Sequence, residues 1–438
     1  MKLSSALGWF TAALMISSLA ACQKKVGETA CCPQTSAPQA AAPQIVSAEP
    51  NSFDAIAKNL NPGGSMYVYL STENFLKEVS DNCAKLAPMV MGSVPLDAAG
   101  KAKADAAWKS LSTFAAKSGL NEVSGFGAST IALEPGYYQT KWMLHHYKDK
   151  GNGLIWKIAN VGPNALDFLS YLPASTALGS SGNLKLEPIW SALNQEAATN
   201  ADLRQGLDMA ATQFKAMSGM DLPALLASLG PNYSMVITLD ENRKATLPLG
   251  ATGQTLTIPE PAFALCIQVQ DDVLIKRLDQ ELSKNPMVAQ ANEGDLTMRI
   301  VGMPFFPPYV RPTVAWKKGL LILSSNDALI REMFEVKAGK KQGLAANANL
   351  KKLMTGMPSN ARKFAYVSES FQKAVREIQL LSMEQDTKTD PKIKALLKNI
   401  YATAEQGTGV AVTEETPEGW VGTLHMKTLP AEKALPAK

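Results

Sequence analysis

Two periods of hydrophobicity alternate along the chain, and together they divide its body into strands and helices. Period-two alternation of apolar and polar residues, the mark of a half-buried strand, follows a proline at two distant places. "NPGGSMYVYLSTENFLKEV" begins at Asn61 and "MPSNARKFAYVSESFQKAV" at Met357. After Pro62 or Pro358, each runs through a strand-like stretch to Thr72-Glu73 or Ser368-Glu369. Phe75 or Phe371 then heads an apolar stripe with helical spacing. Each is followed by a hairpin pattern, "GFGASTIALEPGYYQTKWMLHH" from Gly125 and "GTGVAVTEETPEGWVGTLHM" from Gly407. Glu-Pro-Gly or Pro-Glu-Gly supplies the turn between the alternating runs.

Looser echoes of the proline-then-strand pattern start at Leu172 ("LPASTALGSS") and Gly230 ("GPNYSMVITL"). "GLIWKIANVGPNALDFL" from Gly153 parallels "GLLILSSNDALIREMF" from Gly319, each reading as a strand that runs into a helix. The repeated order of features points to strand–helix–hairpin units in two related halves, an internal duplication. Shared turn chemistry between unrelated segments is the competing explanation.

Amphipathic helices are predicted near residues 97–117, 186–198, 202–217, 271–284, 326–336, 371–383 and 391–405. Short connections join predicted strands near 263–269, 296–301, 311–315 and 320–324. Hairpin neighbours, instead of alternating βαβ units, predict an α+β fold: antiparallel sheets with helices packed on one face. The first α+β half spans 52–220 and the second 221–428. A flexible Ala/Pro/Gln tether precedes them at 22–51, and a flexible polar tail follows at 429–438.

Ahead of the tether, residues 1–21 read as an export signal. Met1-Lys2 gives the positive start, residues 6–16 the apolar run and residues 17–21 the small residues before a cleavage point. The apolar run is shorter than the ~20 residues that cross a bilayer. Leu19, Ala20, Ala21 and Cys22 resemble the lipobox of bacterial lipoproteins. That resemblance implies cleavage before Cys22, diacylglycerol on its sulfur and acylation of its new amino group. Two or more chains, at ~0.8 kcal/mol per buried methylene, anchor stably where one does not. By the same resemblance, Gln23 in place of Asp after the cysteine favours the outer membrane of a two-membrane envelope over the inner.

Composition changes this picture little. With 438 residues, 46% of them hydrophobic and 19% charged, the chain has material for a large core. Net charge is +4, from 43 basic and 39 acidic residues without a long like-charge run. A nucleic-acid partner calls for Lys and Arg concentrated on one face, so none is expected.

Of the five cysteines, Cys22 is the lipidation site, leaving Cys31, Cys32, Cys83 and Cys266 in a compartment that tolerates disulfides. Cys83 shares a helical apolar stripe with Phe75, Leu76, Val79, Leu86 and Val90, which reads as a buried thiol. A disulfide from Cys83 to Cys266, mid-strand, is the alternative. Neither C-x-x-C nor a Cys/His cluster is present in the sequence, so no metal or cofactor is expected.

Most catalytic signatures are likewise missing from the sequence: it has no G-x-S-x-G, H-E-x-x-H, P-loop or G-x-G-x-x-G. His145 and His146 are adjacent on a predicted strand and so point to opposite faces. His425 occupies the matching strand of the second hairpin. "GSSG" from Gly179 reads as a turn, and Asp271-Asp272 and Glu414-Glu415 as a helix start and a hairpin turn. "GMPFFPPYVRP" from Gly302 sets Phe305, Phe306 and Tyr309 among prolines between two strands. Such a loop either presents aromatic surface to a protein or lipid partner or folds back over the core. Residues 241–261 read as a protruding hairpin.

The run 261–375 resembles an uncharacterised family of secreted or anchored bacterial proteins described only as containing a domain of unknown function. "AFALCIQV", "DDVLIKRLDQEL", "PYVRPTVAWKKGLLILSSNDALIREMF" and "LKKLMTGMPSNARKFAYVSESF" carry the resemblance. It implies an envelope location and a repeated α+β fold, and it supplies no catalytic residues. The leading expectation is a lipid-anchored, non-enzymatic binding or scaffold module that meets the membrane through its lipid and has an envelope protein or a lipid as partner. A carrier holding an apolar ligand in a curved sheet is the alternative, and a hydrolase with a dispersed site the second alternative.

Overall fold

A computed structural model describes residues 51–73, 117–159, 164–249, 254–302, 306–385, 389–403 and 406–428, with isolated positions at 97, 100, 105 and 113. The export signal, Cys22, the tether and the tail lie outside the described residues, as do Phe75, Cys83 and Phe305. The strands are β1 (Met66–Ser71), β2 (Val123–Glu134), β3 (Tyr137–His146), β4 (Thr176–Asn183), β5 (Leu229–Leu249), β6 (Gln254–Val269) and β7 (Val288–Glu293). They continue with β8 (Leu296–Val301), β9 (Thr313–Lys317), β10 (Leu320–Ser324), β11 (Lys363–Val367), β12 (Gly407–Thr416) and β13 (Gly419–Thr428).

All of these strands belong to one 13-stranded sheet with the order β1-β2-β3-β13-β12-β11-β4-β5-β6-β10-β9-β8-β7. Every pairing is antiparallel. The order contains three strand-then-hairpin units: β1 with β2–β3, β4 with β5–β6, and β11 with β12–β13. In each, the first strand pairs with the first arm of the hairpin that follows it. Units meet last strand to last strand at β3/β13 and first to first at β11/β4, and the meander β7–β10 closes on β6. The β3/β13 and β11/β4 pairings cross residue 220, so segments 52–220 and 221–428 share one sheet.

The helices are α1 (Phe53–Ala57), α2 (Leu154–Ala159), α3 (Glu187–Ala197), α4 (Ala201–Ser218), α5 (Leu222–Ser228) and α6 (Val273–Ser283). After them come α7 (Asp327–Lys337), α8 (Ala348–Met354), α9 (Glu369–Gln385) and α10 (Pro391–Thr403). Side-chain caps set several starts: Asn200 accepts from Leu203 N before α4, Asn326 from Leu329 N before α7, and Asn347 from Leu350 N before α8.

Alternation along the strands sends neighbouring residues to opposite faces. Ile322, Ala315, Met298, Ala264, Val236, Phe364 and Val410 line one face, against Ile330 and Met333 of α7, Leu350 and Leu353 of α8 and a 3₁₀ segment, Ala165–Tyr171. On the other face Leu321, Val314 and Trp316 meet Leu274, Ile275 and Leu278 of α6, while Ala177 and Leu239 meet Phe371 and Ala374 of α9. Helices therefore cover both faces of one sheet, a correction to the expectation of helices on one face. The apolar stripes of α6 and α7 are alike in sequence, and only the strand register sends them to different sides.

Two stretches take a form other than the one their sequence predicts. "GSSG" from Gly179 lies inside β4, where hydrogen-bonded neighbours on both sides override its turn propensity. "GLIWKIA" forms α2 in place of a strand.

The stretch after Pro307 is tied by hydrogen bonds to the segment that leads into α7. Val310 N donates to Pro307 O at 2.8 Å, Arg311 N to Ser325 O at 2.7 Å and Asn326 Nδ2 to Tyr309 O at 3.3 Å. The Arg311 guanidinium lies 2.7 Å from the buried carboxylate of Asp327, which also pairs with Arg331. Asp327 opens α7, where the helix dipole favours a negative charge.

Truncating the core should show which positions carry this fold. Phe364→Ala, at a 1% exposed site, is expected to cost about 3–5 kcal/mol of unfolding free energy. Met217→Ala, at an 89% exposed site, should change it by less than about 0.5 kcal/mol. Urea midpoints of the two variants provide the comparison.

Candidate functional site

Where β4, β5, β6 and β10 run side by side, the face beneath α7 is floored by small residues. Ser181 pairs with Ser234, Ser234 with Cys266, and Cys266 with Ile322. Two serines and a cysteine fill less of the layer than the Val236–Ala264 and Phe364–Val412 pairs nearby. The 3₁₀ segment Ala165–Tyr171 is held at its start by side-chain hydrogen bonds. Asn164 Oδ1 accepts from Leu166 N at 3.1 Å and from Ala361 N at 3.0 Å, and Ser181 Oγ donates to Ala165 O at 2.6 Å. The result is a part-open pocket of about 160 Å³ under Phe168, Tyr171, Met333 and Phe334.

One end of the pocket is polar. Asn183 and Asn232 are cross-strand partners on β4 and β5, and both line it. Asn232 Nδ2 donates to Gln268 Oε1 at 2.5 Å, which leaves its Oδ1 buried with no partner. Asn183 is 4% exposed and its Nδ2 is also without a partner. A buried donor and a buried acceptor thus stand unpaired side by side, each at a cost of about 1–3 kcal/mol. Native folds rarely leave such atoms unanswered.

The cover of the pocket is largely aromatic and aliphatic. Phe168 and Tyr171 stack with centroids 6.4 Å apart, and Tyr171 meets Phe334 edge-on at 5.9 Å. Lys337 sits 4.8 Å from the Tyr171 ring and Lys317 5.1 Å from that of Phe334. Asp167 is the one carboxylate in the lining, and it is exposed at the rim. Cys266 is a free, buried thiol, and burial pushes its pKa up to about 12. It therefore stays protonated at neutral pH, packing as a small apolar group and not as a nucleophile.

The histidines occupy other places. A bulge at Ser124 turns its hydroxyl to within 2.6 Å of His145 Nδ1. Ser124 is 3% exposed and His145 1%, so a substrate reaches neither. Ser52 Oγ donates to Ser124 O at 2.9 Å and binds the Tyr69 hydroxyl at 3.1 Å, while Tyr147 donates to Glu73 at 2.5 Å. This cluster ties α1 to the sheet. Gly127 makes the close approach feasible, since a Cβ there would overlap Ile56.

His146 donates from Nδ1 to Tyr147 O at 2.7 Å and packs on Trp156, which meets Trp420. His425 completes a directional chain. Asn61 Nδ2 donates to Gln139 Oε1 at 2.5 Å, Gln139 Nε2 to His425 Nε2 at 2.7 Å, and His425 Nδ1 to Leu353 O at 2.7 Å. That chain requires a neutral ring protonated on Nδ1.

Of the residues singled out from sequence, Cys266 lies in the pocket, Phe306 is 41% exposed, and Tyr309 is half-buried. The pocket does not include Phe306 or Tyr309. Cys22, Cys83 and Phe305 fall outside the described residues. Asp271 accepts from Ser228 Oγ and from Val273 N at the start of α6, a capping role. Asn183 and Asn232 escaped notice; the available signal was "GSSGN", a run of small polar residues that the structure buries within a strand.

Among the described residues, no group of three or more His, Cys, Asp or Glu side chains could hold a metal ion, and no helix is long and apolar enough to cross a membrane. No protein-family model matches the chain, and no curated protein or solved structure is significantly similar to it.

Burial holds the pKa values of His145 and His425 below the ordinary 6.5 of histidine. Between that value and the lower folded one, the unfolded chain binds the extra proton. Stability is therefore full above pH 6.5 and falls as the pH drops through this window. Thermal melting of the wild type should fall by a few degrees from pH 7.5 to 5.5, and His425→Gln should show a smaller fall over the same range.

Proposed function

We propose that this chain is a lipid-anchored envelope protein whose body is a non-enzymatic binding module, with the pocket below α7 as its recognition site. The observation that carries the reading is the unpaired Asn183 Nδ2 beside the unpaired Asn232 Oδ1 at a pocket of about 160 Å³. An unmet donor and acceptor in an apolar surround favour a bound group that meets both. The anchor rests on Leu19, Ala20, Ala21 and Cys22, with Gln23 favouring the outer membrane. The tether at 22–51 then holds the body away from the lipid surface, within reach of an envelope partner. The three strand-then-hairpin units support descent from one duplicated element, and the meander β7–β10 is the part that departs from it.

The carrier reading survives in a reduced form. A volume near 160 Å³ resembles the cavity of ~150 Å³ that accepts benzene. It suits a ring-sized group better than a lipid acyl chain. Hydrolysis finds less support, because Cys266 stays protonated and the Ser124–His145 pair is sealed.

Two measurements test the proposal. Cells fed a clickable palmitate analogue should label the wild-type chain and not Cys22→Ala; equal labelling of both refutes the anchor. Full-length protein purified gently from envelopes should release a small molecule on solvent extraction. Met333→Trp, which fills the pocket, should release none, and equal release from the two proteins refutes the site.

A further inference from the structure

We infer that the pocket takes a small, uncharged, ring-sized amide: an apolar body with one edge that offers a carbonyl acceptor beside an N–H donor. The inference rests on the reading of this pocket as a binding site and names the chemistry it selects. The polar end sets the edge. Asn183 Nδ2 lacks an acceptor and Asn232 Oδ1 lacks a donor, and the two residues are directly opposite on adjacent strands. Directly opposite side chains start about 4.5–5.5 Å apart at Cβ, so one planar group can reach both. A carboxamide or lactam edge supplies both functions at once. A ketone, an ester or an ether supplies the acceptor only and leaves Asn232 Oδ1 buried and unmet.

The walls set the body. Phe168, Tyr171, Met333, Phe334 and Ile322 offer apolar surface, and a volume of about 160 Å³ matches a single ring. One ordered water could bridge Asn183 Nδ2 and Asn232 Oδ1, and a carboxamide edge offers the same donor and acceptor while its ring adds apolar contact with the walls.

Charge is excluded on both signs. No Lys or Arg belongs to the lining, so a carboxylate would enter without a counter-ion. The nearby ammonium groups are engaged: Lys337 with the Tyr171 ring and Ser170 Oγ, Lys317 with the Phe334 ring and Asp295. A cation would have only exposed Asp167, at the rim, and would meet Lys337 and Lys317 nearby. Burying an unpaired ion costs several kcal/mol.

The test uses the full-length chain in detergent, with four probes of nearly one size: benzamide, acetophenone, benzoate and benzylammonium. Acetophenone replaces the amide NH₂ of benzamide by a methyl group and so removes only the donor. Calorimetric titration should show benzamide binding roughly 10-fold or more tightly than acetophenone, the ratio expected when a buried acceptor is left unpaired. Benzoate and benzylammonium should bind more weakly than either.

Asn232→Leu should abolish the preference for benzamide while retaining acetophenone. Asn183→Leu should weaken both carbonyl probes and, without ligand, raise the melting temperature by removing an unmet polar group. Met333→Trp, an apolar change that spares both asparagines, should block every probe and serves as the control if a leucine variant does not fold.

Equal affinities for benzamide and acetophenone overturn the amide assignment and leave the pocket as a binding site. A preference that survives Asn232→Leu, or tighter binding of either ion, does the same. Binding of no probe, with Met333→Trp melting like the wild type in their presence, overturns the site together with the ligand class.

Discussion

The five residues of β11, Lys363–Val367, hold the architecture together, because they are hydrogen-bonded along both edges. On one side lies β12, the first arm of the hairpin that follows it; on the other lies β4, from far earlier in the chain. Phe364 is thereby fixed opposite Val412 and Ser181 at once, and Tyr366 opposite Val410 and Gly179. A slip of one residue would turn Phe364 and Tyr366 out of the core and bring Lys363 in, so the alternation itself locks the register. Through that register the second and last strand-then-hairpin units become neighbours. The placement of every side chain on β4 and β5, including Asn183 and Asn232, follows from it.

The pocket is a consequence of uneven side-chain size under a rigid cover. Above Val236, Ala264 and Phe364 the layer packs closely, with Ile330 and Met333 in contact. Above Ser181, Ser234 and Cys266 it does not, because the covering elements are pinned at their ends. Asn164 fastens the 3₁₀ segment to Ala361, while Asn326 and the Asp327–Arg311–Arg331 ion cluster fasten α7. The stretch around Tyr309, which drew attention as aromatic surface, contributes Arg311 to that cluster. Its structural task is to seat the helix that roofs the pocket.

The buried histidines are answered by partners, whereas Asn183 Nδ2, Asn232 Oδ1, Trp156 Nε1 and Arg299 Nε are buried without one. Each ring nitrogen of His425 has its partner in the chain from Asn61 to Leu353, and His145 has the Ser124 hydroxyl. These ties join the amino-terminal segment to β3, β13 and α8, so they link units that lie far apart in sequence. They also explain adjacent histidines that, on opposite faces of one strand, serve no shared site. Of the unpaired buried atoms among the described residues, those of Asn183 and Asn232 belong to side chains that line the pocket.

Local periodicity was enough to place most strands and helices, since the period of two or 3.6 is imposed by the backbone and written in consecutive residues. It located β8 and β10 at residues 296–301 and 320–324 and α7 near 326–336, and it identified the turns of the β2–β3 and β12–β13 hairpins. The same local signal misread "GSSG" as a turn and "GLIWKIA" as a strand, because neighbours distant in sequence decided both. Which face each helix covers was illegible for the same reason: an amphipathic stripe declares that it will be buried, and only strand register says against what. The pocket needed still more, namely small residues from separate strands brought to one rung and a roof held from outside. Such a void is a property of packing among distant residues, so it exists only once the tertiary structure has formed.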